Sequence, residues 1–179
     1  MKVCTDSCLL GAWTAERING AATILDIGAG TGLLSLMLAQ KTSARIDCIE
    51  TDPDAAAQAQ ENIAGSPWEQ RIHLIEADVR KFECKNSYNF IICNPPFFES
   101  DLHSPHEKIN KARHETSLSL EELIHTIGYC LDPLGSFSIL LPFHRSDYFG
   151  KRAVKSEVNA ALRRYKGFKK RMMWKKKKP

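Results

Sequence analysis

Short apolar runs alternate with longer stretches of mixed polarity along most of the chain. The runs are rich in Ile, Leu and Cys, which is typical of strands buried on both faces of a sheet. The stretches between them have the spacing and the composition of helices. The predicted strands are Thr23–Ile27, Arg45–Glu50, Ile72–Asp78, Tyr88–Cys93 and Ser136–Leu141.

Helix signals lie between the predicted strands. Pro53 is well placed in a first helical turn, and Ser119 followed by Glu122 has the pattern of a capping box. Asp132-Pro133 ends the helix that this box begins. The predicted helices are Leu33–Gln40, Asp54–Ala64 and Leu120–Leu131, with a further start near Arg145. The regular alternation predicts an α/β fold with a doubly wound, mostly parallel sheet.

Three glycines at alternate positions, Gly28, Gly30 and Gly32, follow the first strand. Glycine lets the backbone turn tightly and approach a ligand, and the helix that follows presents unpaired N–H groups. The G-x-G-x-G spacing differs from the G-x-G-x-x-G of dinucleotide-binding turns. Asp26 lies just before the turn. Glu50 ends the next strand, where a carboxylate can accept hydrogen bonds from a ribose diol.

A second carboxylate, Asp78, ends the third predicted strand. The carboxyl ends of parallel strands share one edge of the sheet, and open α/β sheets bind ligands at that edge. We therefore expect Asp78 to lie in line with Glu50 and the glycine turn. The alternative for Asp26 and Asp78 is a structural cap at the end of a strand.

The fourth strand runs into Asn94-Pro95-Pro96-Phe97. Two consecutive prolines lack N–H donors and cannot continue a sheet. They leave carbonyl acceptors beside an amide side chain and an aromatic ring, which suits the binding of a planar amino group. The alternative is a turn that only ends the strand.

Charge is divided unevenly along the chain, which carries a net charge of +4. Residues 1–150 contain 12 Lys and Arg against 20 Asp and Glu, whereas residues 151–179 contain 13 Lys and Arg against Glu157 alone. We expect a domain over residues 1–150 and a basic, helical or disordered tail over 151–179. Such a tail can contact RNA phosphates, although a solvated tail without a ligand has the same composition.

Six cysteines are scattered without Cys-x-x-Cys spacing, which indicates neither a zinc site nor a disulfide framework. They are Cys4, Cys8, Cys48, Cys84, Cys93 and Cys130. We expect them to be reduced and to pack in a cytoplasmic protein. The loop histidines (His103, His106 and His114) are too loosely spaced for a metal site, so we predict no metal.

The order and spacing of these motifs resemble those of the class I S-adenosyl-L-methionine-dependent methyltransferases. Asn-Pro-Pro-aromatic marks their amino-methylating branch, which acts on adenine N6, guanine N2 or glutamine N5. Within it, Met1–Asp6 and Leu9–Trp13 resemble the bacterial tRNA1(Val) (adenine-37-N6)-methyltransferase family. Glu61–Trp68 and Ala112–Ser119 fit the same family, and the resemblance covers residues 1 to about 155.

The resemblance implies roles for individual residues. Asn94 and Pro95 would accept hydrogen bonds from the target amino group, and Phe97, after Pro96, would stack on the base. The cofactor-binding residues would be Asp26, Gly28, Gly30, Gly32, Glu50, Asp78 and Val79, together with Lys2, Thr5 and Asp6 of the N-terminal motif. Arg113 and His114 would face RNA, or be plain surface residues.

The activity implied is methyl transfer from S-adenosyl-L-methionine to an adenine N6 in tRNA. Two alternatives remain open. One is methylation of guanine N2 in rRNA or of a glutamine amide in a protein. The other is a truncated, inactive chain that binds RNA through its tail.

The chain departs from the expected fold at its end. Members of this fold complete the sheet with an antiparallel hairpin, and no pair of apolar strands follows Leu141. We expect the hairpin to be missing and the last predicted strand to lie at an exposed edge. No apolar run approaches the roughly 20 residues of a membrane helix, and no signal peptide is visible. The sequence does not reveal the oligomeric state, and we take the protein to be a monomer.

Overall fold

A computed structural model of the protein describes residues 5–84, 87–95, 118–142, 145–146, 148–150, 152 and 170–176, the last of these by backbone alone. Its six strands form one sheet in the order β3-β2-β1-β4-β5-β6. The strands are β1 (Thr23–Ile27), β2 (Arg45–Glu50), β3 (Ile72–Glu76), β4 (Tyr88–Cys93), β5 (Leu131–Pro142) and β6 (Lys170–Lys176). The helices are α1 (Thr5–Ala15), α2 (Leu33–Ala39), α3 (Pro53–Ala64) and α4 (Leu120–Cys130).

The first five strands are parallel, which confirms the predicted doubly wound fold. Successive side chains of a strand point to opposite faces of a sheet. Ile24 therefore belongs to the core beneath α1 and α2, whereas Leu25 belongs to the core beneath α4. Both residues are fully buried, which explains why apolar residues occupy both faces of β1.

The predicted helix signals are confirmed at two helix starts. The Asp52 side chain accepts the Ala55 N–H at 2.8 Å and caps α3. Ser119 and Glu122 form the predicted capping box of α4. The residues described between 145 and 152 are helical, as predicted. The helix-like stretch near residues 157–165 lies outside the described residues.

The expectation of an exposed edge at β5 is wrong. Residues Ser136–Pro142 of β5 pair antiparallel with β6 along its whole length. The prediction of a helical or disordered tail is therefore corrected for residues 170–176. The edge of β5 would otherwise present unpaired N–H and C=O groups, and the basic segment pairs with them. The described residues contain no second antiparallel strand that would complete a hairpin with β6. The domain boundary at residue 150 stays a prediction.

The expectation that every cysteine is reduced is wrong for one pair. Cys84 and Cys130 form a disulfide, with their Cα atoms 5.5 Å apart, although they are 46 residues apart in the chain. The fold brings them together because Cys130 ends α4 and Cys84 packs against the core beneath that helix. The other cysteines in the described ranges, Cys8, Cys48 and Cys93, are free. Burial raises the pKa of the Cys48 thiol to about 12, which suits an inert packing residue.

Candidate active site

The candidate site lies at the carboxyl edge of the sheet, where the strand order reverses. The chain passes from β1 through β2 to β3, and then returns so that β4 pairs with the other side of β1. Open α/β sheets bind ligands at such a switch point. The groups at or just beyond the strand ends are Asp78 after β3, Glu50 on β2, the glycine turn after β1 and Asn94 after β4. The sequence predicted this alignment, and the strand order confirms it.

The glycine turn is fixed by hydrogen bonds to β2. The N–H groups of Gly28 and Ala29 donate to the Ile49 carbonyl at 2.9 and 3.0 Å. Gly28 has a φ of 70°, in the left-handed region that favours glycine. A Cβ at this position would meet no atom of the described residues within 4 Å, so the backbone borders open space in this part of the chain. A Cβ on Gly32 would lie 3.6 Å from the Ala59 Cβ, which shows close packing against α3.

Glu50 is held by three backbone N–H groups. Its Oε2 atom accepts from Gly30 at 2.7 Å, and its Oε1 atom accepts from Thr51 and Asp52 at 2.8 and 2.9 Å. Only 8% of the residue is exposed. Oε1 already accepts two N–H groups and Oε2 only one, so Oε2 keeps a lone pair for a ligand hydroxyl. The carboxylate is therefore fixed in place before any ligand arrives.

Asp26 is fully buried in β1. Its Oδ2 atom accepts from the backbone N–H and the hydroxyl of Ser35 at 3.1 and 2.8 Å, so this oxygen caps the first turn of α2. Its Oδ1 atom accepts no hydrogen bond from the described part of the protein. Burial raises the pKa of the Asp26 carboxyl to about 7, the hydrogen bonds from Ser35 oppose that rise, and the charge of Glu50 adds to it. Oδ2 thus acts as a structural cap, which was the alternative considered for Asp26. Oδ1 still needs a donor, which a ligand or a water would supply.

Asp78 lies two residues beyond β3 and is paired with Arg80. The guanidinium Nε lies 2.9 Å from each carboxylate oxygen, and Nη2 lies 2.7 Å from Oδ2. Asp78 also accepts the Arg80 N–H at 3.0 Å and so caps the short helical turn Val79–Lys81. These contacts hold the pKa of the Asp78 carboxyl below its usual value. The side chain of Val79 packs against the core beneath α4.

Asn94 follows β4 directly and is half-buried, while Pro95 is buried. The Asn94 Nδ2 donates to the Ser7 hydroxyl at 2.7 Å, which joins α1 to the end of β4. No described residue donates to the Asn94 Oδ1 atom. The amide is therefore presented with its acceptor side available.

Several predicted site residues lie outside the described residues. These are Lys2, Pro96, Phe97, Arg113 and His114. Thr5 and Asp6 begin α1, in the turn that also carries Ser7. The N-terminal motif thus meets the Asn-Pro-Pro-Phe motif through Ser7, and its predicted contact with a cofactor stays a prediction. The described ranges contain no group of three or more His, Cys, Asp or Glu side chains that could hold a metal ion.

The residues at this edge fit a nucleoside cofactor with a cationic group. Glu50 offers a fixed acceptor suited to a ribose hydroxyl, Gly28 borders open space, and Asp26 keeps one buried oxygen without a donor. A positively charged donor near Asp26 would satisfy that oxygen and favour the ionised carboxyl.

Sequence reasoning missed the residues that position the predicted ones. Ser35 fixes Asp26, Arg80 holds Asp78, and Ser7 contacts Asn94. Ser35 could have been found, because it is the third residue of the helix after the glycine turn. Ser7 carried no signal, because its partner is 87 residues away.

The overall arrangement has a solved counterpart. The chain superposes with a TM-score of 0.73 on the Thermus thermophilus 16S rRNA N2 G1207 methyltransferase, solved in complex with AdoMet and guanosine, at 18% identity. The match covers 99% of this chain and 44% of that one. The architecture is therefore the Rossmann-like fold of the class I methyltransferases.

The sequence itself gives the family. Residues 7–139 match the methyltransferase small domain, and the chain belongs to this family. It is 51% identical over 155 residues to the tRNA1(Val) (adenine(37)-N6)-methyltransferase of Dyadobacter fermentans, covering 86% of this chain. It is 47% identical over 152 residues to the protein of the same name from Bacteroides fragilis, covering 83% of this chain.

The chain spans 64% and 63% of the lengths of these two relatives. None of the helices in the ranges that the structure describes is both long enough and apolar enough to cross a bilayer.

Proposed function

We propose that the protein transfers a methyl group from S-adenosyl-L-methionine to the exocyclic N6 of an adenine in tRNA, with adenine 37 of tRNA1(Val) as the target. One observation carries this proposal. The turn braced by Glu50 and the Asn94 amide lie at the ends of adjacent strands on either side of the switch point. A cofactor held by the first and an amino group held by the second would meet at the same edge.

The names of the relatives support the choice of target. Both are tRNA1(Val) (adenine(37)-N6)-methyltransferases, and about half of the aligned residues are identical. The solved counterpart methylates guanine N2 in rRNA, but at 18% identity its likeness supports the fold alone. We therefore favour adenine N6 over guanine N2 and over a glutamine amide.

The cofactor would be held by groups that are already fixed. Glu50 would accept from a ribose hydroxyl through Oε2, and the backbone at Gly28 and Gly30 would approach the methionine part. Asp78 would accept from the adenine amino group. The Asp26 Oδ1 atom would gain the donor that it lacks.

The chemistry depends on acceptors rather than on a strong base. S-adenosyl-L-methionine would supply a methyl group that is already electrophilic because it is bonded to a sulfonium; on transfer to N6 the C–S bond breaks, S-adenosyl-L-homocysteine leaves, and the methylated nitrogen releases one proton to water. Asn94 Oδ1 and the Pro95 carbonyl would bind the two N6 hydrogens, direct the nitrogen lone pair and stabilise the positive charge that develops there. Phe97 would stack on the base, a contact worth ~1–3 kcal/mol. Holding both reactants in line removes much of the entropic cost of their encounter.

The basic segment would assist with RNA. Residues 151–179 carry 13 Lys and Arg against one acidic residue, and such a segment binds phosphates in a salt-dependent manner. We propose that the protein acts on tRNA in the cytoplasm, where tRNA is modified. We also propose that it acts as a monomer.

Nucleoside mass spectrometry tests the function. Unmodified tRNA1(Val) transcript is incubated with the protein and S-adenosyl-L-methionine, and we expect N6-methyladenosine at one position. Asn94→Ala is the matched control and should lower the yield sharply. Purified rRNA and a release factor serve as competing acceptors. Methylation of either of these in place of tRNA would overturn the target.

Calorimetric titration separates catalysis from inactive RNA binding. We expect saturable binding of S-adenosyl-L-methionine, and we expect Gly28→Val to abolish it by filling the space beside the turn. A protein that binds tRNA but no cofactor would favour the inactive RNA-binding alternative.

A further inference from the structure

We propose that Ser7 is a positioning residue that holds the Asn94 amide in place at the end of β4. This inference rests on the proposed function and deepens it. An asparagine amide presents an acceptor on one side and a donor on the other, and a half-turn exchanges them. Only the orientation with Oδ1 towards the substrate can accept from an amino group. In that orientation Nδ2 needs an acceptor of its own on the other side of the amide.

The Ser7 hydroxyl supplies that acceptor. Nδ2 of Asn94 donates to it at 2.7 Å, a short distance for an N–H···O hydrogen bond. With Nδ2 committed to α1, Oδ1 is directed to the other side, where no described residue donates to it. A hydroxyl can also donate to Oδ1, so Ser7 fixes the place of the amide, and the substrate amine, whose hydrogens need acceptors, favours the orientation with Oδ1 towards it.

The position of Ser7 is itself fixed by the buried face of α1. Residues three, four and seven positions further on share the face of a helix with the first residue. Leu10 and Thr14, on the same face as Ser7, are fully buried. A Cβ at Gly11 would lie only 2.5 Å from the Met37 sulfur, so α1 and α2 are in close contact there.

A second hydrogen bond anchors the other half of α1. The Thr14 hydroxyl donates to the Ser138 hydroxyl of β5 at 3.0 Å, inside the core. The helix is thus tied to β5 near its end and to Asn94 near its start. The Thr14 contact therefore serves the stability of the helix, whereas the Ser7 contact is the one that reaches Asn94.

Kinetics of three variants test the proposal. Ser7→Ala should lower kcat about three- to ten-fold, the value of one net hydrogen bond, with the affinity for S-adenosyl-L-methionine unchanged. Ser7→Thr keeps the hydroxyl and should restore most of kcat. Thr14→Val removes the hydrogen bond at the other end of α1, and should lower the melting temperature while leaving kcat within two-fold. A kcat of Ser7→Ala within two-fold of the unmodified protein would overturn the proposal, as would an equal loss in Thr14→Val.

Side-chain amide exchange gives a readout that needs no turnover. The Asn94 Nδ2 protons, assigned by their absence in Asn94→Asp, should exchange with water at least several-fold faster in Ser7→Ala than in the unmodified protein or in Ser7→Thr. Equal exchange rates in all three would overturn the proposal. Absence of methyl transfer would overturn the proposed function. The exchange rates would still show whether Ser7 holds the Asn94 amide.

Discussion

The two halves of the candidate site are built differently. On the side of β1 to β3, Glu50 is held by three backbone N–H groups, which belong to the fold itself. On the side of β4, Asn94 is held by one side chain from a distant helix. Backbone contacts persist whatever the neighbouring side chains are, whereas a single side-chain contact can be lost by one substitution. Damage to the first half should therefore cost stability and ligand binding together, and damage to the second should cost rate alone.

Glu50→Ala tests the first half and should have the largest effect. Three N–H groups would lose a buried charged acceptor, at roughly 1.5–3 kcal/mol each. We expect the free energy of unfolding, measured with urea, to fall by roughly 5 kcal/mol, and cofactor binding to disappear. Glu76→Ala, an exposed carboxylate at the end of the neighbouring strand, is the control and should change little. Equal stability of both variants would remove the distinction between the two halves.

Asp26→Asn tests the same half through pH. The pKa of Asp26 is about 7 in the folded protein and about 3.9 when unfolded, so the folded state binds the extra proton between these values. The free energy of unfolding attributable to Asp26 therefore falls as pH rises from about 4 to about 7, by up to about 4 kcal/mol. Asp26→Asn should match the unmodified protein near pH 4 and exceed it at pH 8.

Urea titrations of both proteins across this pH range measure the difference. Other carboxyl groups titrate in both proteins and cancel in the comparison. If the free energy of unfolding depended on pH in the same way in both proteins, Asp26 would be ionised over the whole pH range.

Asn94→Ala tests the second half. Asn94 is half-buried and makes one hydrogen bond within the described chain, so unfolding should change by at most about 1 kcal/mol. Loss of an acceptor for developing charge should lower kcat about 10²–10³-fold. Asn94→Asp keeps an acceptor oxygen and should retain more activity than the alanine variant. Single-turnover assays with radiolabelled cofactor give the comparison, and a large loss of stability in Asn94→Ala would contradict it.

The disulfide joins the two halves and gives the smallest test. Cys84 follows the turn after β3, which begins at Asp78. Cys130 ends α4, which leads into β5 on the β4 side of the sheet. We expect titration of the denatured protein to find four thiols before reduction and six after it. Six thiols without reduction would mean that the halves are joined by packing alone.

Local patterns were enough to predict the β1–β3 half of the site. Glu50 ends a strand, and Asp78 follows one closely. Alternating strands and helices form a parallel sheet, in which the carboxyl ends of the strands share one edge. The order along the chain therefore predicts that these two residues lie at the same edge. The Ser7–Asn94 contact could not be predicted, because it depends on how a helix docks against a strand 87 residues away. β6 was not predicted, because its many basic residues leave no alternation of apolar and polar positions. Its pairing also depends on the backbone groups that β5 presents, which lie far from it in the sequence.

The two anchors of α1 also bear on synthesis. The helix is made near the start of the chain, yet its partners are Asn94 and Ser138. Chains emerge from the ribosome at about 5–20 residues per second, and domains fold as units once their parts are present. The helix can be fastened at both ends only after Ser138 has emerged. Residues 23–78, which form the β1–β3 half of the site, have therefore all been synthesised well before the second anchor of α1 is present.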